Sequence, residues 1–107
     1  MRFFGLKTCD TCRKALKMLD GRAVEVIDVR ADGLSDADRA AIVAAFGEAA
    51  INKRSTTWRA LSEAERARDV AALLEEHPTL MKRPVILHEG VWYQGWTPET
   101  QRALGVS

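Results

Sequence analysis

Apolar and polar positions divide the beginning of the chain into a strand, a helix and a second strand. Residues 1–5 form a short apolar segment that ends at Gly5. Residues 12–19 then repeat apolar side chains at the i, i+3, i+4 and i+7 spacing of an amphipathic helix. The run AVEVIDV at 23–29 is rich in β-branched residues, which predicts a buried strand. The first thirty residues therefore predict a βαβ unit.

The middle of the chain is predicted to be helical. Ser35 is placed to cap a helix that ends at Gly47. A polar connector, residues 51–61, follows. The SEAE sequence at 62–65 is a capping-box pattern that opens another helix, which must end before Pro78.

The end of the chain predicts a β-hairpin and a closing helix. Residues 84–95 indicate two strands joined by a tight turn at Glu89 and Gly90. Thr97 is a suitable cap for a last helix that has Pro98 at its first position. The predicted order is β-α-β, then a helical segment, then β-β-α.

Composition limits the classes of protein to which the chain can belong. It has 107 residues, the size of one domain, with 47% hydrophobic and 29% charged residues. The net charge of +1 gives no argument for binding nucleic acid or an anionic membrane. No apolar run approaches the roughly 20 residues of a membrane span, and Gly5 and Lys7 interrupt any signal peptide. We expect a cytoplasmic protein.

The only two cysteines, Cys9 and Cys12, lie three positions apart at the start of the first predicted helix. The cytosol keeps most thiols reduced, so a catalytic or metal-binding pair is favoured over a structural disulfide. A helix N-terminus stabilises a thiolate at Cys9, and Lys7, Arg13 and Lys14 are nearby cations that favour the same form. Lys7 is also a candidate for anion binding. Cys12, almost one turn further on, is predicted to be less exposed and to resolve a disulfide formed at Cys9.

The cysteine pair has two alternative interpretations. A zinc site needs two further ligands, and the only usual candidates, His77 and His88, do not have the spacing of a zinc finger. We therefore expect no metal. Cys12 can also be read as a small core residue on the apolar face of its helix, and this interpretation stays open even if Cys9 is catalytic.

Four segments of the chain resemble the arsenate reductase-like (ArsC/Spx) family. They are GLKTCDTCRKAL, VRADGLS, INKRSTTWRAL and LMKRPVIL, and they occur in this order over nearly the whole length. The resemblance is greatest to a bacterial branch of glutathione-dependent, thiol reductase-like proteins. It implies an α/β, thioredoxin-like fold (βαβ…ββα) as a single domain over residues 1–107, with a helical insertion between the two halves at about 35–80. Because the domains of this family work alone, the resemblance also implies a monomer.

The resemblance also implies roles for individual residues. Cys9 is similar to the nucleophilic cysteine of the family, and Cys12 to the second cysteine of the Spx-type Cys-x-x-Cys. Arg54 and Arg83 resemble two anion-binding arginines, whose planar donor forks suit oxyanions and carboxylates. Pro84 resembles the cis-proline that thioredoxin-like folds place opposite the reactive thiol.

One departure from the family affects the choice of substrate. Its arsenate reductases carry a third arginine soon after the last hairpin, whereas YQGWTPE here has none before Arg102. We therefore expect a glutathione-dependent thiol-disulfide oxidoreductase, with no bound cofactor, glutathione as co-substrate, and glutathione or glutaredoxin as partner. The alternatives are an arsenate reductase proper and an Spx-like redox-sensing regulator that binds the RNA polymerase α subunit.

Overall fold

A computed structural model of the chain describes residues 1–106. These residues contain four strands and six α-helices, in the βαβ, helical, ββα order that the sequence predicts. The elements are β1 (Arg2–Gly5), α1 (Asp10–Met18), β2 (Glu25–Asp28), α2 (Asp36–Phe46), α3 (Thr56–Ala60), α4 (Glu63–Arg66), α5 (Val70–Glu76), β3 (Val85–His88), β4 (Val91–Gln94) and α6 (Pro98–Ala103). Short 3₁₀ helices follow α2 and α5, at Gly47–Ala50 and Pro78–Leu80.

The four strands form one mixed sheet in the order β2-β1-β3-β4. β1 runs parallel to β2, with Gly5 opposite Asp28, and α1 makes the crossover between them. β1 runs antiparallel to β3, and β3 and β4 form the predicted hairpin. Glu89 and Gly90 have φ values of 51° and 78°, which matches a two-residue hairpin turn with both residues in the left-handed region.

The described residues group into two compact units. One consists of Met1–Asp32 together with the segment that begins at Arg83, and the other is Gly33–Lys82. The first contains the whole sheet with α1 and α6, and the second contains α2 to α5. The insertion predicted at 35–80 falls within the second unit, and a single domain over 1–107 stays a prediction.

The core of the first unit forms between the sheet and the two helices of that unit. Strand β1 is central, so Phe3 and Phe4 are completely buried. One buried cluster joins α1 to the sheet and α6, and its members are Phe3, Cys12, Ala15, Leu19, Ile86 and Leu104. The apolar face predicted for the first helix is therefore the face that packs, and Cys12 belongs to it.

The prediction that residues 23–29 form a buried strand is wrong in its burial. β2 is an edge strand, and Val26 is 47% exposed, although Val29 beyond the strand is fully buried. A β-branched run indicates a strand, but an edge position leaves one side of the strand without a neighbour. The sequence pattern alone does not distinguish an edge strand from a buried central strand.

Two helical predictions in the second unit also need correction. The single helix predicted after Ser62 is two helices, because α4 ends at Arg66 and α5 begins only at Val70, with Asp69 at its N-cap. The capping box of Ser62 is present as predicted. The connector at 51–61 contains the five-residue helix α3, because the Ser55 hydroxyl accepts a hydrogen bond from the Trp58 N–H and caps it.

None of the helices in residues 1–106 has the length and apolar character that crossing a bilayer requires.

Candidate active site

Cys9 occupies the N-cap of α1. Its backbone is extended, with φ of −85° and ψ of 120°, and no side chain caps the helix. Its N–H donates to the Leu6 carbonyl at 3.1 Å, and its own carbonyl accepts from the Arg13 N–H at 3.0 Å. The thiol is partly exposed. These contacts hold the Cys9 sulfur at the end of the helix where backbone N–H groups have no partners within the helix.

Cys12 lies within the same first turn but is buried, with 1% of its surface exposed. Burial raises the pKa of the Cys12 thiol to about 11, and the hydrogen bond to Cys9 and the charge of Cys9 add to the rise. The Leu6 backbone amide and the Arg83 charge oppose it without cancelling it. Cys12 is therefore a protonated thiol at neutral pH.

Cys9 is shifted in the opposite direction. Burial alone raises its pKa, but the Cys12 backbone amide, the Cys12 thiol and the Arg83 guanidinium all form hydrogen bonds that favour the thiolate. The charge of Arg83 acts in the same direction, and the net result is a Cys9 pKa below its ordinary value. Of the two cysteines, which are both free thiols here, Cys9 is the one that ionises first.

Arg83 and Pro84 lie directly before β3, where they bring a cation to Cys9. The Arg83–Pro84 peptide bond is cis, as the family resemblance implies. The Pro84 carbonyl accepts a hydrogen bond from the Gly95 N–H at 2.8 Å, which extends the pairing of the hairpin beyond Gln94. The site therefore draws its cation from the second half of the chain.

Two of the cations close to Cys9 in sequence, Arg13 and Lys7, act on other groups. The Arg13 guanidinium forms an exposed ion pair with Asp10, with 2.5 Å between Nη2 and Oδ1. The Lys7 backbone N–H donates to Asp28 Oδ2 at 3.3 Å, and the Lys7 charge also acts on the Asp28 carboxylate. The participation of Lys7 in anion binding stays a prediction.

Arg54 belongs to the second unit, where it is exposed just before α3. Its N–H donates to Asn52 Oδ1 at 3.0 Å. Nearby, two cations make cation–π contacts with the Trp58 ring. Lys53 Nζ lies 5.8 Å and Arg66 Cζ 5.5 Å from the ring centroid. Participation of Arg54 in the site around Cys9 stays a prediction from the resemblance.

The histidines considered as metal ligands lie next to acidic residues instead. His77 Nε2 is 4.0 Å from Glu76 Oε1, and His88 Nε2 is 3.8 Å from Glu89 Oε1. In the part of the chain that the structure describes, no three His, Cys, Asp or Glu side chains are grouped in a way that could hold a metal ion.

Gly5 and Asp28 shape the site although the sequence did not single them out as site residues. A Cβ atom on Gly5 would lie 2.7 Å from the Cys12 sulfur, so the strand passes the thiol at a distance that only glycine allows. Asp28 accepts the hydrogen bond from Lys7 described above. The position of Asp28 at a strand end, just before the turn sequence RADG, is the sequence feature that could have predicted its hydrogen bonds to backbone N–H groups.

Comparisons with known proteins agree on one family. A sequence model of the ArsC family matches residues 4–104. An uncharacterised protein of Haemophilus influenzae is 38% identical, covering 94% of both chains. A solved structure of a protein named YffB has a TM-score of 0.87 and 30% identity, covering 99% of this chain and 98% of its own.

Two further structures extend the likeness. An arsenate reductase (ArsC) related protein from Brucella melitensis has a TM-score of 0.73 at 28% identity, covering 95% of this chain and 91% of its own. An arsenate reductase from Vibrio cholerae has a TM-score of 0.74 at 20% identity, covering 100% and 98%, which shows a shared fold. The predicted α/β, thioredoxin-like fold is confirmed.

Proposed function

Because the chain belongs to the ArsC family, we propose that it is a glutathione-dependent thiol-disulfide oxidoreductase whose nucleophile is Cys9. The family and its arsenate reductase-related structures support a thiol reductase. The observation that carries the proposal is the opposite environment of the two cysteines. Cys9 is a partly exposed N-cap thiol with a lowered pKa, and Cys12 is a buried thiol with a pKa of about 11.

In the first step, the Cys9 thiolate attacks a sulfur of a mixed disulfide between glutathione and another thiol. A new sulfur–sulfur bond forms between Cys9 and glutathione, and the other thiol leaves as a thiolate that takes up a proton. The Cys12 thiol donates a hydrogen bond to Cys9 before this step, so it helps to keep the nucleophile ionised without competing with it.

In the second step, the mixed disulfide on Cys9 is resolved. Attack by a second glutathione thiolate releases glutathione disulfide and restores Cys9, while attack by Cys12 releases glutathione and leaves a Cys9–Cys12 disulfide. Burial is the largest cause of the raised Cys12 pKa, and the hydrogen bond and charge that add to the rise come from the Cys9 thiolate. Both disappear once Cys9 carries glutathione, so the Cys12 pKa falls at the stage when Cys12 is needed.

The anionic groups of glutathione give the arginines a role. Arg83 already contributes its charge at Cys9 and is placed to pair with a carboxylate of the bound glutathione. Arg54 and Lys7 are proposed as further cations for the same ligand. Since glutathione is abundant in the reducing cytosol, the proposed site of action is the cytoplasm.

The test is glutathione-coupled reduction of a small mixed disulfide, followed through NADPH oxidation by glutathione reductase. We expect Cys9→Ser to lose turnover and Cys12→Ser to retain it at a reduced rate, because a second glutathione can replace Cys12. Retention of full activity by Cys9→Ser contradicts the mechanism. Equal loss in both variants indicates that Cys12 is obligatory rather than auxiliary.

Arsenate reduction is a second candidate, favoured by the presence of a guanidinium beside the Cys9 thiolate. The Cys9 thiolate would attack arsenic and displace an arsenate oxygen, which leaves as water after protonation. A thiol of glutathione or glutaredoxin would then attack the Cys9 sulfur, so that a disulfide forms and the arsenic departs with the electron pair of the sulfur–arsenic bond. The absence of an arginine from the sequence YQGWTPE leaves less positive charge for the oxyanion than the family's arsenate reductases provide. Arsenate-dependent NADPH oxidation with either reductant tests this activity, and no turnover with both removes it.

A further inference from the structure

The carboxylate of Asp28, the last residue of β2, binds two separate parts of the backbone. Oδ1 accepts from the N–H groups of Arg30 at 2.9 Å and Ala31 at 3.0 Å, in the turn after the strand. Oδ2 accepts from the N–H of Lys7 at 3.3 Å, in the loop between β1 and α1. The N–H of Asp28 in turn donates to Asp32 Oδ2 at 3.1 Å.

Lys7 belongs to a backbone segment that forms hydrogen bonds with both cysteines. Strand pairing of β1 with β2 ends at Gly5, whose carbonyl accepts from the Val29 N–H at 2.9 Å. The next residue, Leu6, accepts the Cys9 N–H through its carbonyl, and its own amide forms a hydrogen bond to the Cys12 sulfur. The Asp28 tether therefore holds the turn from Leu6 to Cys9, which carries the reactive sulfur at its end.

We propose that Asp28 is a positioning residue for Cys9. By holding the Lys7 amide, it keeps the Leu6–Cys9 turn, which the hydrogen bond from the Cys9 N–H to the Leu6 carbonyl closes, in the conformation that places the Cys9 sulfur at the Cys12 amide. This role also explains the segment VRADGLS, which carries part of the family resemblance, because the N–H groups of its turn orient the Asp28 carboxylate. The significance of this tether for turnover rests on the proposed function, but its effect on the reactivity of Cys9 does not.

The decisive variant is Asp28→Asn. An amide has one acceptor oxygen, so an asparagine that keeps its oxygen towards Arg30 and Ala31 turns its NH₂ towards the Lys7 N–H, where two donors face each other. The Lys7 tether is lost while the turn is kept. We expect the pKa of Cys9, measured from iodoacetamide alkylation against pH in a Cys12→Ser background, to rise. At a pH well below the wild-type Cys9 pKa, a rise of half to one unit lowers the alkylation rate by about three- to tenfold.

The matched control is Asp32→Asn in the same background. It removes one negative charge from the same turn, and its amide oxygen can still accept the Asp28 N–H. If the tether is responsible, Asp32→Asn leaves the Cys9 alkylation profile unchanged. Equal effects of both variants would show that charge rather than the tether acts on Cys9, and would overturn the proposal, as would an unchanged profile in Asp28→Asn.

Amide hydrogen exchange provides a second measurement that does not depend on turnover. In the wild-type protein, NMR should show the Lys7 amide protected from exchange, and Asp28→Asn should remove that protection while Asp32→Asn keeps it. A Lys7 amide that exchanges at the unprotected rate in the wild-type protein overturns the tether. If Lys7 is protected and Asp28→Asn raises the Cys9 pKa, but the wild-type protein has no glutathione-coupled activity, the proposed function fails and the positioning role stands.

Discussion

Replacing Gly5 with alanine tests the closest approach between the central strand and the cysteine pair. The added Cβ would lie 2.7 Å from Cys12 Sγ, 2.9 Å from Phe3 Cε1 and 3.3 Å from Cys12 Cβ. Phe3 and Cys12 are 0% and 1% exposed, so neither side chain can move out into solvent. Gly5 does not have a positive φ, so the alanine backbone itself is not strained.

The magnitude follows from two opposing effects. Forcing an extra methyl group into a well-packed core costs about 1–3 kcal/mol. The smaller conformational freedom of alanine in the unfolded chain offsets about 0.4–1 kcal/mol of that cost. We therefore expect Gly5→Ala to lower the free energy of unfolding by about 1–2 kcal/mol, which corresponds to a fall in Tm of about 4–8 °C for each kcal/mol.

Urea unfolding followed by circular dichroism measures this cost, and a double-mutant cycle assigns it. In a Cys12→Ala background the sulfur is gone, so the cost of Gly5→Ala should fall, leaving the part that comes from Phe3 and from the Cβ atom at position 12. Wild-type stability of Gly5→Ala would refute the overpacking argument. An equal cost in both backgrounds would show that the Cys12 sulfur is not its source.

Three further predictions concern single contacts. Arg83→Gln should raise the Cys9 pKa, because a hydrogen-bonding cation is removed, and an unchanged pH profile of Cys9 alkylation would contradict this. Ser35→Ala should cost about 1 kcal/mol in urea unfolding, since the hydroxyl caps α2 by accepting the Asp38 N–H at 3.1 Å, whereas Ser35→Asp should restore stability. The Asp28 pKa is lowered, chiefly by the Ala31 N–H, so the stability it adds is present above the unfolded value of about 3.9 and is lost as pH falls through the folded value. Acid unfolding of Asp28→Asn should lack that part of the pH dependence, and an acid transition identical to wild type would refute it.

The sequence alone predicts the two cysteines of this site, but it does not predict the residues that come to them from other parts of the chain. Cys9 and Cys12 were recognisable because their spacing and the helix pattern after them are local features, and the structure places Cys9 at the N-cap and Cys12 in the core. Arg83 and the cis bond to Pro84 came from the family resemblance alone, because no local pattern brings a residue before β3 to the start of α1. Asp28 was missed because it binds a backbone N–H, which every residue except proline carries.

The errors in the fold prediction arise where contacts with other elements, rather than the local sequence, decide the burial of a strand or the end of a helix. The β-branched residues around Val26 predict a strand correctly, but only the order of the sheet makes that strand an edge. The apolar spacing after Ser62 continues through residues 67–69, where the structure interrupts the helix. Hydrophobic periodicity indicates which residues face a core, whereas helix ends depend on capping contacts that can occur inside a periodic run.

The order of the strands has a consequence for how the protein emerges from the ribosome. β1 is the first strand to be made, yet on one side it pairs with β3, so that Arg2 lies opposite Leu87. Until β3 has been synthesised, the nascent chain holds the two cysteines beside a central strand with one side unpaired. The Gly33–Lys82 unit is contiguous and has its partners available earlier. Arg83, whose charge and hydrogen bond favour the Cys9 thiolate, is also made late, so Cys9 is without this cation during most of translation.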